Sequence, residues 1–208
     1  MSGAPKLERG LDAFDRRDWK RARRLFEETL QDEPRASGFY HLGLLYWRGL
    51  GGGVDKVAAA DCFARAAEDG HPSAQTAYGI ALRSGVGVVK DVDAARAQFR
   101  SAAGAGDREA MVQLATMCEP DEAKRWLLRA SELGYAPSML HLSDMLMRTD
   151  PIEALSWLYA AVALAGDDAA RKRAAALARE MSASEIDAAE KAGRAYAKGI
   201  QQRARDAR

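Results

Sequence analysis

LGLLYWRGLGGGVDKVAAADCFARAAEDG, residues 42–70, is the stretch that decides the fold, because the chain repeats it 36 positions later. The second copy, residues 78–106, reads YGIALRSGVGVVKDVDAARAQFRSAAGAG and aligns with the first without a gap. The identical positions are Gly43 and Gly79, Gly49 and Gly85, Gly51 and Gly87, Asp55 and Asp91, Ala58 and Ala94, Ala59 and Ala95, Phe63 and Phe99, Ala66 and Ala102, Ala67 and Ala103, and Gly70 and Gly106. Self-similarity with a period between about 20 and 50 residues indicates an architecture of stacked repeats.

Each copy predicts a helical hairpin. Its first half carries apolar residues at three- and four-residue spacing, which indicates a helix. A glycine-rich loop follows, where we expect the backbone to adopt positive φ. Asp55 and Asp91 stand where the N-cap of a second helix belongs, and Gly70 and Gly106 stand where that helix should end.

Gly43 and Gly79 fall inside the predicted first helices, where glycine costs roughly 1 kcal/mol relative to alanine. A close approach between two helices would explain that cost. We therefore expect the two glycines to lie opposite the alanine pairs at 66–67 and 102–103 of the second helices.

These residues resemble the Sel-one-like repeat, a relative of the tetratricopeptide repeat with the same 36-residue period. The residues that carry the resemblance are Leu42, Gly43, Tyr46, Gly49, Gly51, Asp55, Ala58, Ala59, Ala66, Ala67 and Gly70. In weaker form the resemblance covers about residues 6–167, and it implies a right-handed solenoid and an adaptor role without catalytic residues. The chain departs from the family at Cys62 and Gln98, where tryptophan is usual, and at Leu82, where tyrosine is usual.

The predicted fold is all-α: a single right-handed α-solenoid of stacked helical hairpins over residues 1–208, with C-terminal capping helices. We divide it into a first repeat (6–34, ended by Pro34), two full repeats (35–71 and 72–107), two shortened repeats (108–135 and 136–167) and a helical cap (168–208). The third repeat is predicted to be short because Cys118 runs almost directly into the helix start at Glu119 and Pro120.

The last helix is predicted to begin at a capping box formed by Ser182 and Glu185. Its apolar seam consists of Ile186, Ala189, Gly193, Tyr196 and Ile200. We expect this helix to cover the end of the solenoid, as terminal repeats must; a seam for a dimer or a partner is the alternative.

Composition limits the location and the membrane relationship of the chain. The mean hydropathy is −0.35 and no run of 18 apolar residues occurs, so no membrane span is expected. The start of the chain lacks an apolar signal region. Only two cysteines occur, Cys62 and Cys118, and they fit a reducing compartment. We predict a cytoplasmic protein.

Chemistry-bearing motifs are lacking in the sequence. The glycines at 49–53 are not followed by the lysine and serine of a phosphate-binding loop. His41, His71 and His141 do not have metal-ligand spacing. We predict no enzyme activity, no cofactor and no metal; a hydrolytic enzyme on a helical-repeat scaffold is one alternative, for which the sequence shows no acid–base pair.

The predicted function is a protein–protein interaction scaffold that binds a peptide or a partner domain. By resemblance to tetratricopeptide proteins, the first helices line the concave side. The predicted partner-binding residues are Tyr40, Leu44, Trp47, Arg48, Thr76, Ile80, Arg83, Val112, Thr116, Asp144 and Arg148. Arg48, Arg83 and Arg148 would suit an acidic segment, because guanidinium pairs with carboxylate in a fork geometry; they are otherwise ordinary exposed arginines. Trp47 is either an anchor for the partner or a core residue.

A second alternative uses the basic C-terminal helix to bind nucleic acid or an acidic partner. Residues 171–208 hold 10 Lys and Arg against 5 Asp and Glu. The residues concerned are Arg194, Lys198, Arg203, Arg205 and Arg208. We favour a solvated helix face over nucleic-acid binding for this segment.

Overall fold

The computed structural model describes residues 6–32 and 35–206. These residues form twelve α-helices and no strand. The helices are α1 (Lys6–Asp15), α2 (Trp19–Asp32), α3 (Ala36–Arg48), α4 (Lys56–Glu68), α5 (Pro72–Ser84), α6 (Val92–Gly104), α7 (Arg108–Ala115), α8 (Pro120–Glu132), α9 (Ala136–Leu146), α10 (Pro151–Ala165), α11 (Asp168–Ala178) and α12 (Ala183–Asp206). Pro34 and Arg208, which the sequence analysis singled out, lie outside the described residues.

The chain forms two compact units, Met1–Ala110 and Met111–Arg208. In the first unit α1 packs on α2, α3 on α4 and α5 on α6, and successive hairpins meet through α2 with α3 and α4 with α5. In the second unit α9 packs on both α8 and α10, and α11 and α12 also pack on α10. The helix pairs fall within the predicted repeat boundaries, whereas the prediction of a single domain stays a prediction.

The caps of the second helices are those that the sequence predicts. The side chain of Asp55 accepts a hydrogen bond from the amide of Ala58 at 2.9 Å, and Asp91 accepts one from Ala94 at 2.9 Å. Gly70 follows the last turn of α4 with φ +77°. Because residues other than glycine rarely adopt this conformation, the chain can turn sharply there into the next first helix.

Gly51 and Gly87 seat each loop on the preceding hairpin of the first unit. Both have positive φ, +75° and +78°. A Cβ on Gly51 would overlap the carbonyl oxygen of Trp19, and one on Gly87 would overlap the carbonyl oxygen of Lys56. These carbonyls belong to the first residues of α2 and α4. Backbone therefore rests directly on backbone, and a side chain at either position would force the two segments apart.

The glycines inside the first helices face phenylalanine rings, and the expected contact with the alanine pairs was wrong. A Cβ on Gly43 would lie 2.6 Å from Cε1 of Phe63, and one on Gly79 would lie 2.7 Å from Cε1 of Phe99. Both rings are almost fully buried, at 2% and 0% exposure. The close approach that the sequence predicts is present, but it makes room for an aromatic ring of the second helix.

The second unit has shorter loops and different core pairs. Its first helix ends at Ala115 and the next begins at Pro120, which confirms the shortened loop. Asp150 caps α10 by accepting from the amide of Glu153 at 2.9 Å. The positions of the glycine and phenylalanine of the full repeats are occupied here by Ala115 with Leu127, and by Ser143 with Leu158; all four are buried.

The last helix, α12, packs along α10 and begins at the predicted capping box. The carboxylate of Glu185 accepts from the amide of Ser182 at 2.7 Å. A Cβ on Gly193 would lie 2.6 Å from the carbonyl oxygen of Ser156 in α10, so the two helices are close. Nearby, the rings of Trp157 and Tyr196 stack with their centroids 4.5 Å apart. The helix thus covers α10, as expected of a cap.

Candidate functional site

The first helices of the first unit enclose a pocket of about 270 Å³ between α3 and α5. We name it the first-helix pocket. Its lining residues are Tyr40, Leu44, Trp47, Arg48, Phe63, Ser73, Thr76, Ala77, Ile80, Asp107 and Glu109. Leu44 and Ile80 are partly exposed, so the lining offers apolar surface as well as polar groups.

Six of the predicted partner-binding residues come together in this pocket: Tyr40, Leu44, Trp47, Arg48, Thr76 and Ile80. Thr76 contributes little surface, because it is only 3% exposed and its hydroxyl donates to the carbonyl of Pro72 at 3.2 Å. Arg48 is exposed, and it forms no ion pair with the residues that the structure describes.

Three aromatic rings, from Tyr40, Trp47 and Phe63, form one side of the pocket. The centroid of Phe63 lies 6.2 Å from that of Tyr40 and 6.0 Å from that of Trp47. Trp47 is half-buried, and the ammonium of Lys56 lies 3.8 Å from its ring centroid. Trp47 therefore has features of both roles considered for it, a core residue and an anchor for a partner: it packs on the buried Phe63 and it also lines the pocket.

The polar end of the pocket was missed by the sequence analysis. Oδ2 of Asp107 accepts from the hydroxyl of Ser73 at 3.1 Å, and its Oδ1 accepts from the amide of Ala110 at 2.9 Å. Desolvation, followed by the charges of Asp107 and Glu109, raises the pKa of the Tyr40 hydroxyl. Desolvation, together with the neighbouring Asp107, also raises the pKa of the Glu109 carboxyl.

A signal for these residues was present in the sequence. Asp107 and Glu109 lie 36 positions after His71 and Ser73, so they occupy the same places at the start of the next first helix. His71 caps α5, since its Nδ1 accepts from the amide of Ala74 at 3.3 Å. Applying the repeat offset to the residues that flank the pocket would have identified both carboxylates.

Arg83 lies outside the first-helix pocket. Its guanidinium is 5.7 Å from the ring centroid of Phe99, and the side chain is partly buried. The first unit therefore does not bring Arg48 and Arg83 together as two arginines lining one pocket.

The other predicted site residues belong to the second unit, where they occupy separate places. Thr116 and Asp144 border a shallow depression together with His141 and Met145. The carboxylate of Asp144 also pairs with Arg173 at 2.8 Å, and Arg148 lies beside that pair in another depression. Val112 is only 7% exposed and contributes to the core.

The two cysteines and the described basic residues of α12 lie outside the first-helix pocket. Cys62 and Cys118 are not joined by a disulfide. On α12, Arg194, Lys198, Arg203 and Arg205 are exposed, and Arg194 pairs with Glu190. Within residues 6–32 and 35–206, no group of three or more His, Cys, Asp or Glu side chains could hold a metal ion. Over the same residues, every helix is too short or too polar to cross a membrane.

The repeats match one protein-family model, that of the Sel1 repeat, over residues 40–71, 72–107, 119–135 and 136–165. These segments make up more than half of the chain. The chain belongs to the Sel1 repeat family. The all-α repeat fold predicted from the sequence is thereby confirmed, as is the resemblance on which the prediction rested. No protein among the curated ones matches the chain.

Two crystal structures of Sel1-type proteins resemble the chain in fold. A Sel1 repeat protein from Oxalobacter formigenes has a TM-score of 0.74 at 22% identity, and the match covers 92% of this chain and 82% of that one. The protein c5321, a protective antigen of uropathogenic Escherichia coli with an SLR fold, has a TM-score of 0.58 at 16% identity, covering 94% of this chain and 53% of that one. Sel1 repeats generally mediate protein–protein interaction and are typically non-catalytic.

Proposed function

We propose that this Sel1 repeat protein is an interaction scaffold that takes up part of a partner protein in the first-helix pocket. The observation that carries the proposal is the convergence of six predicted partner-binding residues on one pocket, in a family that mediates protein–protein interaction. The pocket has the composition of a recognition site, since apolar and aromatic side chains supply contact area and a few polar groups supply orientation.

The geometry supports recognition by a preformed surface. The aromatic side of the pocket rests on Phe63, which is 2% exposed, and Phe63 in turn fills the space left by Gly43. Asp107 is held by two hydrogen bonds. Because these groups are already fixed, a partner would lose little free energy in ordering the pocket. Binding by the scaffold requires no chemical step, and we propose no enzyme activity.

We propose a cytoplasmic location, supported by the two cysteines that are not joined by a disulfide.

Affinity capture with pocket variants tests the proposed function. Leu44→Ser and Ile80→Ser remove apolar surface from the pocket, and Val57→Ser does the same at an exposed position of α4 outside it. We expect a partner captured by the wild-type chain and by Val57→Ser to be lost with both pocket variants, as measured by quantitative mass spectrometry and then by a binding isotherm with the purified partner. Unchanged affinity of the two folded pocket variants would exclude the first-helix pocket as the partner site.

A further inference from the structure

The first-helix pocket places two carboxylates next to three aromatic rings, and this combination indicates what kind of group it recognises. The carboxylates of Asp107 and Glu109 line the same pocket as the rings of Tyr40, Trp47 and Phe63. The sequence analysis favoured an acidic partner because it considered the arginines alone. The structure shows that the negative charges of Asp107 and Glu109 line the same pocket as Arg48.

Glu109 is the more accessible of the two carboxylates, since it is exposed whereas Asp107 is half-buried. Both oxygens of Asp107 accept hydrogen bonds, from Ser73 and from the amide of Ala110. The Glu109 carboxylate has no hydrogen bond or ion pair with any residue of 6–32 and 35–206. Its charged form is disfavoured by desolvation and by the neighbouring Asp107. A cation placed beside Glu109 would counteract both effects by favouring the charged form, because an opposite charge at short range stabilises the ionised carboxylate.

The aromatic side of the pocket also suits a cation. Ammonium and guanidinium groups are attracted to the face of an aromatic ring within about 6 Å of its centroid. Lys56 of the chain itself already makes such a contact, 3.8 Å from the centroid of Trp47. The other partly exposed ring of the lining is that of Tyr40, which stacks on His71 and is where a partner's cation would bind. The alkyl stem of a lysine or arginine side chain would pack on Leu44 and Ile80, as such stems commonly do on apolar surface.

Arg48 is the competing cation in the pocket, and it does not neutralise the two carboxylates. No nitrogen of Arg48 lies within ion-pair distance of a carboxylate among the described residues. The lining thus holds two carboxylates and one guanidinium, while the ammonium of Lys56, which is not part of the lining, donates to the carbonyl of Trp47 at 2.6 Å. A carboxylate from a partner would meet the charges of Asp107 and Glu109, and like charges brought together at an interface select against the wrong partner.

We propose that the first-helix pocket binds a lysine or arginine side chain of a basic segment in the partner protein. The proposal rests on the proposed function, and it specifies the partner chemistry at the same site. The positive group sits beside Glu109 and Asp107, the stem lies along Leu44 and Ile80, and the charge of Arg48 opposes the binding of further positive groups.

Two matched peptides test the charge preference on the full chain. The probes are an acetylated and amidated pentapeptide, Ala-Lys-Phe-Lys-Ala, and its counterpart with glutamate in place of both lysines. We expect the lysine peptide to shift the NMR signals of the Trp47 indole and of the Ile80 methyl groups, and the glutamate peptide to leave both unchanged at the same concentrations. Reversed behaviour of the two peptides would establish an acidic partner and overturn the proposal.

Charge variants give the sharper test because their expected effects have opposite signs. Glu109→Gln should weaken binding of the lysine peptide about fivefold, which corresponds to roughly 1 kcal/mol. Arg48→Gln should strengthen it, since a competing cation is removed. Glu68→Gln is the matched control, because Glu68 is exposed at the end of α4 and lies outside the pocket. Loss of affinity in the Arg48 variant, or equal effects of the Glu109 and Glu68 variants, would overturn the proposal.

The inference and the proposed function fail in different ways. If Ile80→Ser abolishes partner capture while Glu109→Gln leaves it unchanged, the pocket is the partner site and the inferred charge preference is wrong. If Ile80→Ser also leaves capture unchanged, the proposed function itself is wrong. Binding of neither peptide to a folded wild-type chain counts against the charge preference alone.

Discussion

The full repeats of the first unit and the shortened repeats of the second form the same kind of helical hairpin with different residue pairs at the equivalent core positions. In the full repeats, a glycine of the first helix accommodates a phenylalanine of the second, as in Gly79 with Phe99. In the shortened repeats, the corresponding pairs are Ala115 with Leu127 and Ser143 with Leu158. In the shortened repeats the residue of the first helix is larger than glycine and the residue of the second helix is smaller than phenylalanine. The summed side-chain volume of the pair is thus roughly kept, and cores tolerate substitution best under that condition.

The two units also differ in what holds successive elements together. In the first unit, Gly51 and Gly87 bring each loop onto the backbone of the preceding hairpin. In the second unit the loop between α7 and α8 covers only residues 116–119 and contains no glycine. There α10 is covered instead by α12, through Gly193 and the stacked rings of Trp157 and Tyr196. In the first unit a loop thus contacts the preceding hairpin, whereas in the second unit an additional helix covers α10.

Removing α12 should have the largest effect and should be confined to the second unit. Deletion of residues 182–208 takes away the helix that packs along α10 and exposes apolar surface, including that of Trp157, which is now 5% exposed. We expect a lower melting temperature, aggregation in light scattering, and faster hydrogen exchange in α9 and α10 than in α3–α6.

A shorter deletion, of residues 203–208, is the control, because it leaves Gly193, Tyr196 and Ile200 in place. It should melt close to the wild-type temperature. A soluble, monomeric 182–208 deletion with an unchanged melt would show that α12 is a partner seam and not a cap.

The core pair of a full repeat can be replaced by that of a shortened repeat, and a double-mutant cycle should show that the two substitutions compensate each other. Gly79→Ala places a Cβ against the Phe99 ring, and Phe99→Leu removes contact area; each alone should lower the free energy of unfolding by about 1–3 kcal/mol. The combined variant reproduces the pair Ala115 with Leu127, so its loss should be smaller than the sum by roughly 0.5–3 kcal/mol.

Urea titrations of the four proteins measure this coupling. Gly79→Ala combined with Val57→Ser is the control, and its effects should simply add, since Val57 is an exposed residue of α4 whereas the pair lies in α5 and α6. Additive losses in the Gly79 and Phe99 cycle would disprove the argument that volume is exchanged between the two positions.

Ser143 should be replaceable by alanine with a gain in stability. Its hydroxyl is buried and has no hydrogen-bond partner among the described residues, and an unsatisfied buried polar group costs roughly 1–3 kcal/mol. Ser143→Ala should therefore raise the free energy of unfolding by about 1 kcal/mol, as measured by urea titration.

Ser156 of the same unit provides the matched control. It is also buried, but its hydroxyl donates to the carbonyl of Ile152 at 2.7 Å. Ser156→Ala should leave stability unchanged or lower it. If both variants lose stability equally, the hydroxyl of Ser143 is satisfied in solution.

The smallest expected effect concerns the caps of the first helices, which are an imidazole in α5 and a carboxylate in α7. Desolvation, and then the charge of His41, lowers the pKa of His71 in the folded chain. The unfolded chain consequently binds more protons, so stability is full above the unfolded pKa of about 6.5 and falls as pH drops through the folded value.

Urea midpoints measured between about pH 5 and pH 8 test this prediction. His71→Asn keeps a capping side chain and should remove part of the decline below neutral pH, whereas His141→Asn, at an exposed position, should not. Identical profiles for wild type and His71→Asn would place the acid sensitivity elsewhere.

The hairpins, the caps and the shortened loops could be predicted from the sequence because the repeat aligns their residues at one offset. The partner of Gly43 could not, because α4 carries two small residues at 66–67 as well as Phe63, and only the packed structure shows which of them faces the glycine. The apolar side of the pocket was predicted from α3 and α5. Asp107 and Glu109 were missed because they lie at the start of α7, the next first helix, which comes close to the pocket only in the folded chain.

The seating of Gly87 on Lys56 has a consequence for how such a chain can lengthen. A duplicated segment covering residues 72–107 would carry both halves of the contact: the loop glycine, and a helix start at Val92 in the place of Lys56. A new copy inserted after the original could therefore dock on it with no further adaptation. A segment that contains the glycine-free loop at 116–119 does not carry the loop glycine, so a copy of it would lack this half of the contact.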